Sequence, residues 1–422
     1  MKRIWKQVQQ TLRILGAGIL AILVLVSSTV PGGERLEQVR AYTRGVEFDY
    51  AGWMLAALWD KGQQWALSAP RYWDEKTQRQ VVEDWAALTR EVQALRAESA
   101  RIFADPSVSD PQTAAAPVLA RLRAREAEQA RLGALSEEIL QVQTRAVLAE
   151  MGLTYGKQAV PSVLYRISKL PLALVVSPRE VIRQDANISL LPDMGLDEIT
   201  ALEQRVEGEL GVSALVVQIG GVAVYPTMVM ETTNLVYLTD TVAHEWTHNY
   251  LTLRPLGMLY DATPELRSMN ETAASLAGKE IGLRVLERYY PDLVPPPPAP
   301  PAAPQPQQPP AEPPAFDFRA EMHITRVEAD RLLAEGKVDE AEAYMEARRQ
   351  VFYANGYVLR RLNQAYFAFH GAYADTPLGA AGEDPVGPAV RALRAQSGSL
   401  REFLNRISWM DEFTDLQKAL QP

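Results

Sequence analysis

The sequence predicts a mainly α-helical chain with a small mixed β-sheet and an N-terminal helical hairpin. Three observations predict it: long apolar stripes at helical spacing within 34–155, short β-branched runs confined to 156–238, and helical spacing again from Asp240 onward. The 422 residues, 47% apolar and 23% charged, suit a folded chain with room for two or three units. Lys and Arg number 43 against 52 Asp and Glu, a net charge of −9. That balance argues against a nucleic-acid partner, whose affinity rests on a basic face. The chain has no Cys, which excludes thiolate metal sites, disulfides and Cys nucleophiles, and only four His.

Along the chain, Lys2, Arg3, Lys6 and Arg13 precede an uncharged run, 14–30, that Pro31, Gly32 and Gly33 end. A basic flank followed by an apolar run reads as a signal peptide or signal anchor over 1–33. The small residues Ser27, Ser28 and Thr29 form no clear cleavage site, which favours a retained single-pass anchor with the rest of the chain extracytoplasmic, or a secreted chain if it is cleaved. Within 34–155, Trp85, Leu88, Val92, Leu95 and Ile102 form one stripe and Leu132, Leu135, Ile139, Val142 and Ala146 another. Asp105-Pro106 and Asp110-Pro111 break the helix between them, which predicts an antiparallel hairpin. From 156 to 294 the reading is a mixed unit: strands at 172–176, 214–219, 222–225 and 234–238, and a helix over 197–210. Residues 295–315 form a proline-rich linker, PPPPAPPAAPQPQQPPAEPP in its first twenty positions. Beyond it, 316–422 reads as helices over 318–335, 339–354, 356–373 and 390–407, a C-terminal region placed to close one side of a cleft.

The chemistry concentrates in one segment. His244-Glu245-Trp246-Thr247-His248 is an HExxH sequence. On a helix the two His lie one turn apart on one face and can bind one Zn²⁺, while Glu245 sits where it can hold a metal-bound water and take its proton. Thr239 or Asp240 is the expected N-cap, entered from the strand at 234–238. A third ligand at metzincin spacing is excluded, because Arg254 stands where the His is needed and Leu251 where the Gly is needed. A later helix, capped by Thr263 and begun at Pro264, supplies Glu271, with Glu265, Glu280 and Asp261 as rivals; Ala273, Ala274 and Ala277 allow close approach to the first helix.

HEWTH followed by Asn270-Glu271-Thr272-Ala273-Ala274 resembles the gluzincins, zinc metallopeptidases that use two His and a Glu from a following helix. Within them it looks most like membrane-anchored bacterial aminopeptidase-like proteins. The resemblance covers about 234–282. It implies a zincin-like metallopeptidase core with His244, His248 and Glu271 as ligands of one Zn²⁺ and Glu245 as base. It also implies a substrate-binding edge strand before the active helix, for which 222–229 is the candidate although Pro226 limits its hydrogen bonding. The aminopeptidase Gly-x-Met-Glu-Asn motif is missing, which leaves exopeptidase and endopeptidase open. The family commonly supplies an oxyanion donor from a later helix, and Tyr366, His370 and Tyr373 share a helical face there. The expectation is thus a membrane-anchored, extracytoplasmic zinc metallopeptidase acting on peptide or protein substrates. The alternatives are a non-catalytic scaffold that only binds peptides and a hydrolase of non-peptide amides.

Overall fold

A computed structural model describes residues 35–67, 69–104, 108–156, 158–296, 316–370 and 385–421. The described chain is mainly helical, with two small sheets of three strands each. It opens with α1 (Arg35–Thr43), α2 (Tyr50–Leu67), α3 (Glu75–Ala104) and α4 (Pro111–Glu150). Helices α3 and α4 form the expected hairpin. Asp110 caps α4 by accepting from the Thr113 N–H, and Val92, Leu95 and Leu122 close the distal end. At the proximal end Trp85, Ile139, Val147 and Leu148 enter the main core.

The mixed unit follows: β1 (Tyr165–Ile167), β2 (Leu172–Pro178), β3 (Ala186–Leu190), α5 (Leu196–Leu210), β4 (Val212–Gln218), β5 (Gly221–Val222) and β6 (Thr227–Val229). One sheet has the order β3-β2-β4, antiparallel throughout; the other is mixed, β1-β6-β5, with β1 parallel to β6. Strand β2 is buried on both faces. Leu172, Leu174 and Val176 pack on Leu202 and Val206 of α5, and Val175 faces the other way with Leu215. In the second sheet, β1 is flanked by α4. The Tyr165 N–H donates to the Gln141 side chain at 3.2 Å and the Ile167 N–H to Glu137 at 2.8 Å; the buried Lys61 pairs with Glu137.

Next come α6 (Leu235–Thr252), the short α7 (Pro255–Met258) and α8 (Pro264–Tyr289), and after the proline tract α9 (Phe318–Ala334), α10 (Val338–Ala354), α11 (Gln364–His370), α12 (Val386–Gln396), α13 (Leu400–Ile407) and α14 (Phe413–Ala419). The C-terminal region divides. Helices α9–α11 cover the second face of the β2 sheet, and α12–α14 join the main core through Val390, Leu393, Phe403, Leu404, Ile407 and Leu416.

The structure corrects several sequence expectations. Residues 234–238 are not a strand. Asn234 is the N-cap of α6, its Oδ1 accepting from the Tyr237 N–H at 3.2 Å, and Leu235, Leu238 and Val242 are buried at helical spacing. Strands β1 and β3, each five residues or fewer, were not foreseen, and the single edge strand expected over 222–229 is instead two antiparallel strands, with β5 at the edge and β6 in the centre of the sheet. The helix expected over 390–407 is two, because Ser399 starts a new one by accepting from the Glu402 N–H. Of the helix expected over 356–373, only Gln364–His370 is found, and 371–373 lie outside the described residues. The single-pass membrane reading is not upheld: among the described residues no helix is long and apolar enough to cross a membrane. The run at 14–30 on which that reading rested lies outside the described residues, as does the proline tract from 297 to 315.

Candidate metal centre

Two helices build the site. α6 presents His244, Glu245 and His248; α8 crosses it and presents Asn270 and Glu271. They pack closely because α8 has no side chain at the contact. A Cβ on Gly278 would lie 2.6 Å from Asp240 Oδ1 and 3.0 Å from His244 Cβ. One on Gly282 would lie 2.9 Å from the Asp240 backbone nitrogen. Thr263 starts α8 by accepting from the Leu266 N–H, and Pro264 fits the first turn.

His244, His248 and Glu271 form a group able to hold a metal ion. His244 Nε2 and His248 Nε2 are 3.0 Å apart, and Glu271 Oε2 lies 3.4 Å from the second and 3.6 Å from the first. Ligands at about 2.0–2.1 Å from one tetrahedral ion would lie about 3.3 Å from one another, so the three atoms already stand at the spacing of a tetrahedral face. Their chemistry agrees. Glu271 Oε2 is buried with no hydrogen-bond partner. Asn270 donates through Nδ2 to the Leu256 carbonyl at 3.1 Å, which turns its Oδ1 toward His248 Nδ1 at 2.7 Å. His248 Nδ1 is therefore the donor, and in the neutral ring the Nε2 lone pair faces the triangle.

Electrostatics tie the group together. Burial disfavours a charged His248, but Glu271, Glu245 and the bond to Asn270 outweigh it and hold its pKa up at about 9. Burial pushes Glu271 the opposite way, yet His248 and His244 hold its carboxyl well below the usual carboxylate range. The triangle binds a proton where it can bind a cation, so the two compete. Glu245 is buried, and burial raises its pKa, with His244 and His248 working against that shift and Glu271 adding to it. Its neighbour is β5: a Cβ on Gly221 would collide with the Glu245 carboxylate, so only glycine lets the strand lie this close. Asn249 fastens α6 to the start of β6, donating to Thr227 Oγ1 at 3.1 Å, and Trp246 Nε1 donates to the Pro161 carbonyl at 2.8 Å.

The rival carboxylates are elsewhere. Glu280 is held by Arg394 at 2.6 and 2.8 Å, Glu265 is exposed, and Asp261 lines a separate cavity. Tyr366 is not brought to the triangle. It is buried in the core of α9–α11 over β2, its ring on Phe367 and His370, and burial raises its pKa to about 12. The same burial lowers His370 to about 4. Tyr373 lies outside the described residues. An aromatic face at helical spacing serves here as core.

The residue that sequence reasoning missed is Tyr260, in the turn between α7 and α8. Its hydroxyl hydrogen-bonds Glu271 Oε1, and its ring meets His248 edge-on at 6.1 Å. A phenol lying between HExxH and the downstream Glu was the available signal. Comparison of the chain with models of known families, with curated proteins and with solved structures finds no match.

Proposed function

We propose that the chain is a zinc-dependent peptidase. The observation that carries this reading is the convergence of three lone-pair donors, 3.0–3.6 Å apart, beside a buried carboxylate that none of them needs for binding. His and carboxylate donors in a tetrahedral arrangement suit Zn²⁺, and His244, His248 and Glu271 would hold it. When bound, the ion polarises the scissile carbonyl and makes water acidic enough to ionise near neutral pH.

The chain's own residues do the rest. Glu245, its pKa raised by burial, takes a proton from the attacking water and returns it to the leaving amine. The Tyr260 hydroxyl, which donates to Glu271 Oε1, would on release from that bond donate to the oxygen that gains charge as the carbonyl is attacked. Strand β5 runs past Glu245 at van der Waals range and offers an extended peptide a backbone edge to align on.

The test is direct. The purified protein should bind one zinc per chain and, so loaded, cut a peptide library; the ends of the products then distinguish trimming from internal cleavage. Zinc binds only the folded chain, so at 100 times its Kd it should add about 2.7 kcal/mol of stability that a chelator removes. Bound zinc with no cleavage across the library would favour a peptide-binding scaffold instead. Tyr260→Phe should keep the zinc and lower kcat by about 10²-fold with little change in KM. A loss of zinc affinity at unchanged kcat of the loaded enzyme would show that the phenol acts only through Glu271.

A further inference from the structure

A cavity of about 320 Å³, separate from the metal centre, is bounded on one side by the start of α8, the helix that also carries Glu271. Arg183, Asp185 and Asn187, from the β2–β3 connection and β3, line one wall; Asp261, Thr263 and Arg267, from the entry to α8, line the other. The two arginines differ. Arg183 Nε donates to Asp185 at 2.7 Å. Arg267 makes no side-chain ion pair among the described residues, and its Nε is buried without any hydrogen-bond partner. Since Nε is closed off, Arg267 lines the cavity through its other atoms, and the group that best fits an unpaired planar guanidinium there is a carboxylate.

The cavity belongs to the same neighbourhood as the metal ligands. Arg267 precedes Glu271 by one turn of α8, so their Cβ atoms lie about 6 Å apart on one helix face. Asp261 is close enough to both that each acts on its ionisation: burial raises its pKa most, Arg267 lowers it and Glu271 raises it. A peptide whose scissile bond sits at His244, His248 and Glu271 would therefore carry its next groups past Tyr260 toward Arg267.

We propose that this cavity is a substrate subsite for a carboxylate near the scissile bond, and that Arg267 binds it. The carboxylate is either an acidic side chain or the free C-terminus of the peptide. This inference rests on the peptidase reading above. Asp261 shares the wall and repels such a ligand, so its neutralisation strengthens the preference.

The test uses the full chain carrying Glu245→Gln, loaded with zinc, and three labelled peptide pools of equal length: Glu-containing with an amidated C-terminus, the Gln analogue with a free C-terminus, and the Gln analogue amidated. Fluorescence anisotropy should show one of the first two binding about 10-fold more tightly than the third, and which one identifies the source of the carboxylate. Adding Arg267→Ala should abolish the difference, Arg267→Lys should retain part of it, and Asp261→Asn should widen it. Circular dichroism checks that each variant is folded, and the lysine variant decides the matter if the alanine one is not. Equal binding of all three pools, or a preference that survives Arg267→Ala, overturns the subsite. Digestion by the zinc-loaded native chain separates the two readings. Cleavage blind to carboxylates defeats the subsite alone. Carboxylate-selective binding without any cleavage defeats the peptidase, and with it the cavity's role as a substrate subsite, leaving Arg267 as a carboxylate-binding residue only.

Discussion

Glu245→Gln is expected to leave one zinc bound per chain and to lower kcat/KM by about 10³-fold. Glutamine keeps the shape and polar contacts of the buried side chain, and Glu245 is not one of the three convergent donors, so binding of the ion survives. What is lost is the ability to accept a proton from water and deliver it to the amine, a contribution of about 10²–10⁴ in rate. Metal analysis and steady-state kinetics on the same preparation check both halves. Activity equal to that of the native chain would sink the mechanism, and loss of the zinc would show that Glu245 belongs to the ligand set.

Gly282→Val is expected to be the most damaging single change outside the ligands. A Cβ there meets Asp240 N at 2.9 Å, Asp240 Cα at 3.0 Å and the Thr239 carbonyl carbon at 3.1 Å, all main-chain atoms that no rotamer change can clear. Relief requires α8 to move away from α6. Overpacking of this kind costs about 1–3 kcal/mol, and a branched side chain against backbone belongs at or above the upper end. Because Glu271 rides on α8 while His244 and His248 ride on α6, the same movement opens the ligand triangle. Thermal unfolding should show the destabilisation, and competition against a chelator should show weaker zinc binding. Gly278→Ala is the milder comparison: its tightest contact, Asp240 Oδ1 at 2.6 Å, is the end of a side chain that can swing, and the Asp240 carbonyl oxygen and His244 Cβ, both at 3.0 Å, need only a small shift to admit a methyl group. An unshifted melting temperature and unshifted zinc affinity in Gly282→Val would refute this view of the interface.

Features with a long apolar period or a β-branched run were legible in the sequence, and the shortest strands were not. The α3–α4 hairpin could be read because its apolar stripes run for many turns and Asp110-Pro111 marks the boundary. Strands β2 and β4 could be read from their β-branched runs at 172–176 and 214–219, and β5 lies at the edge of the run at 222–225, whereas β1 and β3 carry too few residues for alternation to register. Leu235 to Leu238 was misread because Leu-Val-Tyr-Leu suits a strand by composition; the deciding residue was Asn234, whose side chain caps the helix. At the site, HExxH fixes His244, Glu245 and His248 through one helical turn, while Glu271 was one of four candidate carboxylates, favoured by its small neighbours and by the gluzincin resemblance. Two contributors escape such reasoning. Tyr260 reaches Glu271 only because the turn through α7 folds back onto α8, and Gly221 matters only because β5 crosses Glu245. Both are tertiary facts: Gly221 has no local signature, and Tyr260 has only its position between HExxH and Glu271. Tyr366 fails for the converse reason, since a periodic aromatic face reports burial without saying in which core.

The two rims of the β1-β6-β5 sheet are unequal. Along β1, the side chains of Glu137 and Gln141, one turn apart on α4, take the N–H groups that a neighbouring strand would use. A helix thus occupies the seat of a fourth strand, and sheet growth on that side is blocked. Among the described residues β5 has no such cover. Whatever adds to this sheet, a substrate or the exposed strand of another molecule, must do so beside Glu245. Self-association through the sheet and turnover would therefore compete for one groove, and the rate per molecule should fall as such assemblies form.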